Sequence, residues 1–414
     1  MHPFLRTALA TGVLLCFVVP ASALDFSVGS NGDEGDANPG DGFCATPGFI
    51  SVCTFRAAVE ESNWFPGEDR IFLGVGTVTI SGHGIRIEDD VIIQGAGAYQ
   101  SILQGDPLDT LDEGLVIGNH SKVSISDLAL RGFDAGARSL PAGAALVTTP
   151  DDGNDVTLVR VWIDWNSSMN CAGVWIDGGV AEIRDSTFTH NRARGNADMP
   201  SSSLPGLGGA LCITAGADVT VTNSTFFGNS AIEGGAIGMA GLGSRLRLIS
   251  STLVDNIDLA PSTSSASDHD DSAIYQTEDT FLYLNKTLIA GSCHPYSAGL
   301  TSHGGNIQSP DDSCLLNVAG DQPNLARHEL GLGPIGNYGG PVPTMLPSST
   351  SPAVEPPLSL AGPPCPTLDA RGMPRFGRCD VGAVERQTVD HEVPIFVDGF
   401  ETGNTNAWSS TSPP

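Results

Sequence analysis

The sequence AEIRDSTFTHN at 181–191 recurs as VTVTNSTFFGN at 219–229 and as LRLISSTLVDN at 246–256. The first, third and eighth residues of each copy are apolar; they are Ala181, Ile183, Phe188, Val219, Val221, Phe226, Leu246, Leu248 and Leu253. Apolar residues two positions apart predict a β-strand with one buried face. Each copy therefore predicts a strand, a bend and a second strand that returns to the same core.

Two further segments resemble these copies. VTLVRVWIDWN at 156–166 precedes them, and FLYLNKTLIAG at 281–291 follows them in a less regular form. Aligned without a gap, the later segment places Phe281, Tyr283 and Leu288 at the apolar positions. These three side chains are therefore predicted to join the core.

Two corners are predicted in each repeat. The bend between the strands carries residues that favour turns, namely Asp185, Asn223, Ser250 and Asn285. The closing asparagine, a residue that tolerates left-handed geometry, predicts the second corner; these are Asn166, Asn191, Asn229 and Asn256. Glycine turns in GGAL (208–211) and GGAI (234–237) lead into a short third strand. The closing asparagines are 25, 38 and 27 residues apart, which fits one coil per repeat with loops inserted.

A repeat of this kind cannot bury its own apolar face, so successive repeats must stack on one another. The repeats contain no helical periodicity and no hairpin signal. The sequence therefore predicts an all-β fold, a right-handed parallel β-helix closed at its N-terminal end by a short helix.

That helix is predicted in CTFRAAVEESN at 53–63. Its buried face is formed by Phe55, Ala58, Val59 and Ser62, which have helical spacing. Residues 25–65 resemble the CSLREA domain, an N-terminal element of secreted bacterial β-helix proteins, although Phe55 and Ala57 replace the leucine and a glutamate of its motif. The resemblance implies a lid over the first coil.

The first residues have the features of an export signal. Arg6 supplies positive charge, residues 8–19 form an apolar run too short to span a bilayer, and Ala21-Ser22-Ala23 forms an A-x-A cleavage site. An uncleaved anchor is the alternative. We divide the chain into a signal at 1–23, a cap at 24–66, a β-helix at 67–325, a terminal domain at 326–385, and a linker with a tail at 386–414. No transmembrane segment is expected after cleavage, and the protein is predicted to be secreted or attached to the cell surface.

The net charge of −28 argues against nucleic acid or an anionic membrane as a direct partner. It suits an extracellular protein or one that recruits divalent cations. The acidic loop at 29–43 contains Asp33, Glu34, Asp36 and Asp41, whose oxygens would suit calcium. Their spacing differs from that of an EF-hand, and a solvated acidic loop is the simpler alternative. No other cofactor is predicted.

Of the nine cysteines, Cys16 lies in the signal. The other eight are an even number in an exported chain, which predicts disulfides. The sequence does not fix the pairing, but nearest neighbours are favoured: Cys44 with Cys53, Cys171 with Cys212, Cys293 with Cys314, and Cys365 with Cys379. Because no C-x-x-C spacing exists, a zinc site is disfavoured.

Ordered motifs occur towards the C-terminus. They are Asn337 to Thr344 (NYGGPVPT), Asp369 to Gly372 (DARG) and Asp380 to Glu385 (DVGAVE). This segment resembles the choice-of-anchor Q domain, which ends secreted β-helices ahead of surface-sorting tails, and residues 395–414 are similar to such a tail. Arg371 and Arg375 stand among Asp369, Asp380 and Glu385, which predicts a structural ion-pair cluster.

Enzymes that cut acidic polysaccharides occur in the pectin-lyase-like superfamily, which the repeats resemble. Its hydrolases have the motif order N-T-D, D-D, G-H-G and R-x-K. Here Gly82-His83-Gly84 precedes the acidic pairs Asp89-Asp90, Asp151-Asp152 and Asp270-Asp271. A lyase needs a basic residue as its base, and Arg160 is the only one in the first-corner column, where a hydrogen-bonded structural role is simpler. No catalytic residue is therefore assigned.

The GGA-[IL] and F-x-x-N motifs also resemble the polymorphic outer-membrane proteins, which are β-helix adhesins. The favoured hypothesis is a non-catalytic protein that binds a glycan or a host or envelope surface. Binding would use the side loops at 133–155, 192–207 and 257–272, because such loops commonly carry binding residues. A polysaccharide lyase or glycoside hydrolase is the alternative, and a scaffold without a ligand is a third hypothesis.

Overall fold

The computed structural model describes residues 23–108, 113–135, 145–150, 153–195, 206–259, 272–295, 299–356 and 364–388. Within these ranges the chain winds as a right-handed parallel β-helix, and its strands form four parallel sheets that run along the axis. The predicted export signal up to residue 22 and the tail from residue 389 lie outside the described residues.

The strands, numbered in chain order, have the following bounds. The long sheet contains β1 Asp25–Val28, β2 Asp69–Leu73, β5 Val91–Gln94, β8 Lys122–Ser126, β12 Asp155–Val159, β16 Val180–Arg184, β20 Asp218–Thr222, β24 Arg245–Ile249, β28 Phe281–Asn285 and β31 Leu300–Ser302. The second sheet contains β3 Gly76–Ile80, β6 Ser101–Gly105, β9 Ala129–Arg131, β13 Trp162–Asp164, β17 Thr187–Thr189, β21 Thr225–Phe227, β25 Thr252–Val254, β29 Leu288–Ala290 and β32 Ile307–Ser309. The third sheet contains β4 Ile85–Ile87, β7 Leu115–Ile117, β11 Leu146–Thr148, β15 Val174–Asp177, β19 Leu211–Thr214, β23 Ile237–Met239, β27 Ser272–Gln276 and β30 Ser292–His294. The short sheet contains β10 Asp134–Ala135, β14 Ser167–Ser168, β18 Arg192–Ala193, β22 Ser230–Ala231 and β26 Ile257–Asp258.

The repeated apolar positions form the core. In the long sheet, Ile183 pairs with Val221, and Val221 pairs with Leu248. In the second sheet, Phe188 pairs with Phe226, and their rings stack with centroids 4.7 Å apart. All nine residues of the three clearest copies are buried. Stacked coils therefore place equivalent side chains in one continuous apolar column, as the repeats predict.

The alignment of the last copy was wrong by one residue. Leu246 pairs with Leu282 rather than with Phe281, and Leu284 and Ile289 occupy the remaining core positions. Because alternate strand residues face opposite sides, a shift of one residue moves every side chain to the other face. Phe281 and Tyr283 consequently lie outside the core, where side chains of β24 cover them: the guanidinium carbons of Arg245 and Arg247 lie 5.5 and 5.9 Å from their ring centroids.

Left-handed backbone occurs at both corners. At the first corner, Asp185, Asn223 and Ser250 have positive φ as expected, but the fifth copy uses Lys286 rather than Asn285 because of the same shift. At the second corner, the prediction that the closing asparagine is left-handed was wrong. The residue before it takes that conformation; these residues are Trp165, His190, Gly228 and Asp255.

The closing asparagines instead form a buried ladder. Asn166 donates from Nδ2 to Oδ1 of Asn191 at 2.8 Å, Asn191 donates to Asn229 at 2.9 Å, and Asn229 donates to Asn256 at 2.9 Å. Each of these accepting Oδ1 atoms also accepts the backbone N–H of the preceding rung. The ladder thereby satisfies polar groups that the turn leaves inside the coil.

The predicted helix covers the first coil. Helix α1 spans Phe55–Ser62, and the hydroxyl of Thr54 caps it by accepting the N–H of Ala57 at 3.0 Å. Its predicted apolar face is buried against β1, β2 and β4. At eight residues, it is the one α-helix of the described ranges, and none of their helices has the length and apolar character needed to cross a membrane.

The C-terminal segment, described at residues 326–356 and 364–388, folds back onto the outer face of the second sheet. Val381, Met345 and Leu330 pack there with outward side chains of the sheet, which include Leu288 and Ile307. Hydrogen bonds join the two parts: Thr187 Oγ1 donates to the Pro343 carbonyl at 2.6 Å, and the Ala383 N–H donates to Thr252 Oγ1 at 2.9 Å. A short 3₁₀ turn at Arg327–Leu330 begins this segment.

Four disulfides join nearest-neighbour cysteines. They are Cys44–Cys53, Cys171–Cys212, Cys293–Cys314 and Cys365–Cys379. The second bridge ties β19 to the segment before β15 on the adjacent coil, which agrees with the spacing of about 4.8 Å between neighbouring strands. These are the pairs favoured from the sequence.

Candidate ligand-binding strip

Aromatic side chains line the outer side of the coil beside the C-terminal segment. We call Tyr99, Trp162, Trp165, His190 and Phe227 the aromatic strip. Trp165 is 59% exposed and Tyr99 is 36% exposed. Large aromatic surface left in water is costly and commonly marks a binding site.

The rings of the strip form two groups whose members contact one another. Tyr99 meets Trp162 edge-on with centroids 5.6 Å apart. Trp165 stacks on His190 at 4.6 Å with nearly parallel planes, and His190 meets Phe227 edge-on at 5.8 Å. The left-handed corner conformation of Trp165 and His190 is what turns both rings outward at equivalent positions. The strip is thus a pre-formed platform rather than a set of independent side chains.

Polar groups are anchored within the platform. The Trp162 indole N–H donates to Thr189 Oγ1 at 2.7 Å, and that hydroxyl donates to Asp164 Oδ1 at 2.5 Å. Arg131 lies over the Trp162 ring, with its guanidinium carbon 4.8 Å from the centroid, and its Nη2 lies 2.7 Å from Asp164 Oδ2. A buried carboxylate that is paired and hydrogen-bonded is held in one position. Asp164 therefore orients the groups around it.

Two nitrogen atoms of the platform have no hydrogen-bond partner. Arg131 Nε and His190 Nδ1 are both buried within the structure. His190 Nδ1 lies 3.6 Å from Asp164 Oδ1, beyond an ordinary hydrogen bond. Buried polar groups are normally satisfied, so these two atoms are an unmet cost of the packing beneath the rings, and the exposed ring faces are what a ligand could contact.

A cavity of about 370 Å³ continues the strip toward the C-terminal end. It is lined by Phe227, Val254, Asp255, Arg327, Leu330, Leu332, Gly333, Pro334, Ile335 and Met345. Asp255 and Arg327 form an ion pair at its edge. Trp165, His190, Gly228 and Asp255 are equivalent second-corner residues of successive coils, so this column extends over about 14 Å at about 4.8 Å per coil. The shape suits an elongated ligand.

The first-corner column is structural. Arg160 donates from Nε and Nη2 to the two carboxylate oxygens of Asp127, both at 2.6 Å. Asn223 donates to Asp185 at 3.0 Å and accepts from Arg375 of the C-terminal segment at 2.9 Å. The hydrogen bonds to Asp127 raise the pKa of the Arg160 guanidinium. Arg160 therefore stays protonated, which is unsuited to a lyase base.

Of the acidic pairs considered for hydrolysis, the structure describes Asp89-Asp90, whose carboxylates accept backbone N–H groups. Asp89 Oδ1 accepts the N–H of Asp90, and Asp90 Oδ1 accepts the N–H of Lys122. The carbonyl of His83 accepts a bond from Arg56 in the N-terminal cap. The pairs at 151–152 and 270–271 lie outside the described residues.

The four candidate calcium ligands are not brought together. Asp33 forms an ion pair with Arg56 at 2.8 Å, Asp36 accepts the N–H groups of Asn38 and Ala45, and Asp41 accepts the N–H of Phe43. The carbonyl of Glu34 accepts the hydroxyl of Thr54. In the ranges that the structure describes, no three His, Cys, Asp or Glu side chains have a metal-binding arrangement. These acids stabilise their own loop and its contact with α1.

The predicted side loops follow strands of the short sheet in the chain and precede strands of the third sheet. Most of their residues, at 136–144, 151–152, 196–205 and 260–271, lie outside the described ranges.

The aromatic strip itself was not predicted from the sequence. A usable signal was present: one repeat carries Trp162 and Trp165 at positions where the next carries Thr187 and His190.

Comparisons with known proteins give a fold-level likeness. No family model and no curated protein matches the chain. A solved structure, that of pectate lyase Pel9A, aligns over 89% of this chain and 98% of its own, with 12% sequence identity and a TM-score of 0.36.

Proposed function

We propose that this is a secreted or cell-surface, non-catalytic β-helix protein that binds a glycan along the aromatic strip. The observation that carries the proposal is the stack of the exposed Trp165 ring on His190, beside the anchored Arg131–Asp164 pair. Sugar rings have apolar C–H faces that pack on aromatic rings. Their hydroxyl groups pair with fixed donors and acceptors at the ring edge.

A neutral glycan is the favoured class. A net charge of −28 repels a polyuronate or another polyanion over the surface as a whole. In the strip itself, the positive charge of Arg131 is paired with Asp164 and so is not free to attract an acidic polymer. Paired side chains can still form hydrogen bonds with the hydroxyl groups of a sugar, and these bonds do not require a charged ligand.

Binding without turnover is supported by the state of the candidate catalytic groups. Arg160 is locked to Asp127, and Asp90 accepts a backbone N–H. Asp164 is buried and paired with Arg131, so it orients the groups around it. A polysaccharide lyase or hydrolase is the competing outcome of the test below.

The extracellular setting is supported by several features. Four disulfides are typical of oxidising compartments. The export signal at 1–23, the resemblance of residues 25–65 to the CSLREA domain, and the resemblance of residues 337–385 to the choice-of-anchor Q domain favour export and surface attachment. The partner would then be a glycan on a host or envelope surface.

The proposal is tested by titrating the protein against a panel of neutral and acidic polysaccharides, with binding followed by calorimetry. Trp165→Asn removes the stacking ring, and asparagine tolerates the left-handed conformation at this corner. We expect its affinity for the bound glycan to fall at least about tenfold, equivalent to about 1.4 kcal/mol.

Trp64→Ala is the matched control, because Trp64 is also largely exposed but lies in the N-terminal cap. It should bind like the unchanged protein. Reducing ends and the absorbance of unsaturated uronides are measured in the same samples. Equal affinities of the two variants would show that the glycan does not bind at the aromatic strip. Release of reducing ends or unsaturated uronides would show instead that the protein is a polysaccharide-cleaving enzyme.

A further inference from the structure

The residue that follows the predicted cleavage site contacts the core. Ala23 is exposed, whereas Leu24 packs its side chain against the core. The Leu24 carbonyl accepts the N–H of Arg70 at 2.8 Å, and its own nitrogen donates to Asp69 Oδ1 at 2.6 Å. Cleavage after Ala23 would therefore place a free amino group in contact with Asp69.

Asp69 is a carboxylate with an unmatched charge. It is fully buried, and its Oδ2 has no hydrogen-bond partner. Burial raises its pKa to about 6, and the nearby charges of Asp89, Asp25 and Glu61 act in the same direction, while the bond from Leu24 opposes them. An isolated buried carboxylate is costly, whereas one paired with a cation is less so.

We propose that Asp69 is a binding site for the protein's own processed amino terminus: cleavage of the Ala23–Leu24 bond creates a Leu24 ammonium that forms a buried salt bridge with Asp69. Hydrolysis of that peptide bond leaves the carboxylate on Ala23 and the amine on Leu24, and the amine takes up a proton at neutral pH. The ammonium keeps the bond to Oδ1 and supplies further donors for Oδ2. Processing thus supplies the cation that pairs with the buried Asp69 carboxylate in the first coil of the β-helix.

The proposal predicts opposite roles for Asp69 before and after cleavage. In a chain that retains residues 21–23, Leu24 is an amide and contributes one neutral donor. Asp69→Asn then removes a buried charge and keeps an acceptor for that donor, so stability should be unchanged or higher. In a chain that begins at Leu24, the same substitution leaves the ammonium without its partner, and stability should fall.

The experiment compares four proteins that all extend to residue 414. They begin at Leu24 or at Ala21, and each is made with and without the substitution Asp69→Asn. At pH 7, Asp69→Asn should lower the unfolding midpoint of the Leu24 chain by at least about 3 °C, and should not lower that of the Ala21 chain. An equal effect in both backgrounds would overturn the proposal. Should a chain carrying Asp69→Asn fail to fold, acetylation of the Leu24 amine in the unsubstituted protein provides the second comparison, with the same expected loss.

A pH series separates the salt bridge from simple packing. Pairing raises the pKa of the amine above its unfolded value of about 8, so its stabilisation is present at neutral pH and is lost as pH rises through the folded value. The advantage of the Leu24 chain over the Ala21 chain should accordingly shrink between about pH 7 and pH 10. A constant difference would contradict an ionic contact.

Mass spectrometry of the exported protein should give Leu24 as its first residue, and any other start would refute the processing step.

Discussion

Two buried aspartates of the C-terminal segment differ in how their charge is matched. Asp369 accepts bonds from Nε and Nη2 of Arg371, both at 3.0 Å, and both side chains are fully buried. Asp380 accepts the backbone N–H groups of Arg386 at 2.7 Å and Glu355 at 2.9 Å. Burial nevertheless raises the pKa of Asp380 to about 6. Asp369 thus has an arginine as its direct partner, whereas Asp380 is held by backbone N–H groups alone and its pKa is raised.

This difference predicts that the contribution of Asp380 to stability increases as the pH is lowered from about 7 to about 4. The pKa of Asp380 is higher in the folded than in the unfolded chain, so the folded state binds more protons between about pH 4 and 6, and its stability falls as pH rises through that range. A shift of this size corresponds to about 3 kcal/mol. Chemical denaturation at several pH values measures the slope.

The large negative charge of the protein produces a slope of the same sign, so a control variant is needed. Asp380→Asn cannot titrate, and the difference between its slope and that of the unchanged protein isolates this residue. Parallel slopes would show that Asp380 does not contribute.

At the scale of the structural element, the asparagine ladder is the device that closes each coil. We expect Asn191→Ala to destabilise the protein by about 3 kcal/mol, because it leaves the N–H of Asn166 and the carbonyl of Ile163 without their partners inside the coil. Thermal unfolding measures the loss. Thr220→Ala, at a half-buried outward position of β20, should change stability by less than about 0.5 kcal/mol. A similar small effect at Asn191 would mean that water replaces the ladder.

The strands that recur in each copy were predictable from the sequence. The features that occur in a single coil, such as the register of the last copy, were not. The apolar columns through Ile183 and Phe188 follow from strand periodicity alone, since each buried side chain has an equivalent in the next copy. The predicted register of the last copy was wrong because Phe281 and Leu282 are both apolar. Only the pairing with β24 decides which of the two faces inward.

The candidate site escaped prediction for a related reason. Trp162 and Trp165 were recognised as parts of a repeat, but their contacts with Arg131 and His190 come from neighbouring coils. Sequence spacing between those coils is irregular, so ring-to-ring distances cannot be inferred from it. The left-handed corner that turns Trp165 outward was assigned to Asn166 instead, one residue too late.

At the scale of the whole molecule, the C-terminal segment covers the outer face of the second sheet and also lines the cavity beside the aromatic strip. It buries outward apolar residues of the second sheet such as Leu288 and Ile307, which would otherwise be exposed to water. It also contributes Leu330 and Met345 to the cavity that continues the aromatic strip. Stability of the coil and the shape of the site therefore depend on the same docked surface.

Undocking this segment should weaken ligand binding without touching the aromatic rings. Val381→Asp places a charge among Leu288 and other apolar side chains, and an unpaired buried carboxylate costs about 3 kcal/mol or more. We expect residues 330–356 and 364–385 to become about 100-fold less protected from hydrogen exchange, while the strands of the β-helix keep their protection. Glycan affinity should fall because one wall of the cavity is lost, although Trp165 and its stack on His190 remain.

Val75→Asp is the matched control, since Val75 is a largely exposed valine between β2 and β3 and the new charge there stays in water. It should leave both exchange and affinity unchanged. If Val381→Asp released the segment but glycan affinity stayed constant, binding would be confined to the rings of Tyr99, Trp162 and Trp165. If affinity fell as far as in Trp165→Asn, the ligand would extend across the coils from the aromatic strip into the cavity, and the C-terminal segment would belong to the binding site as well as to the fold.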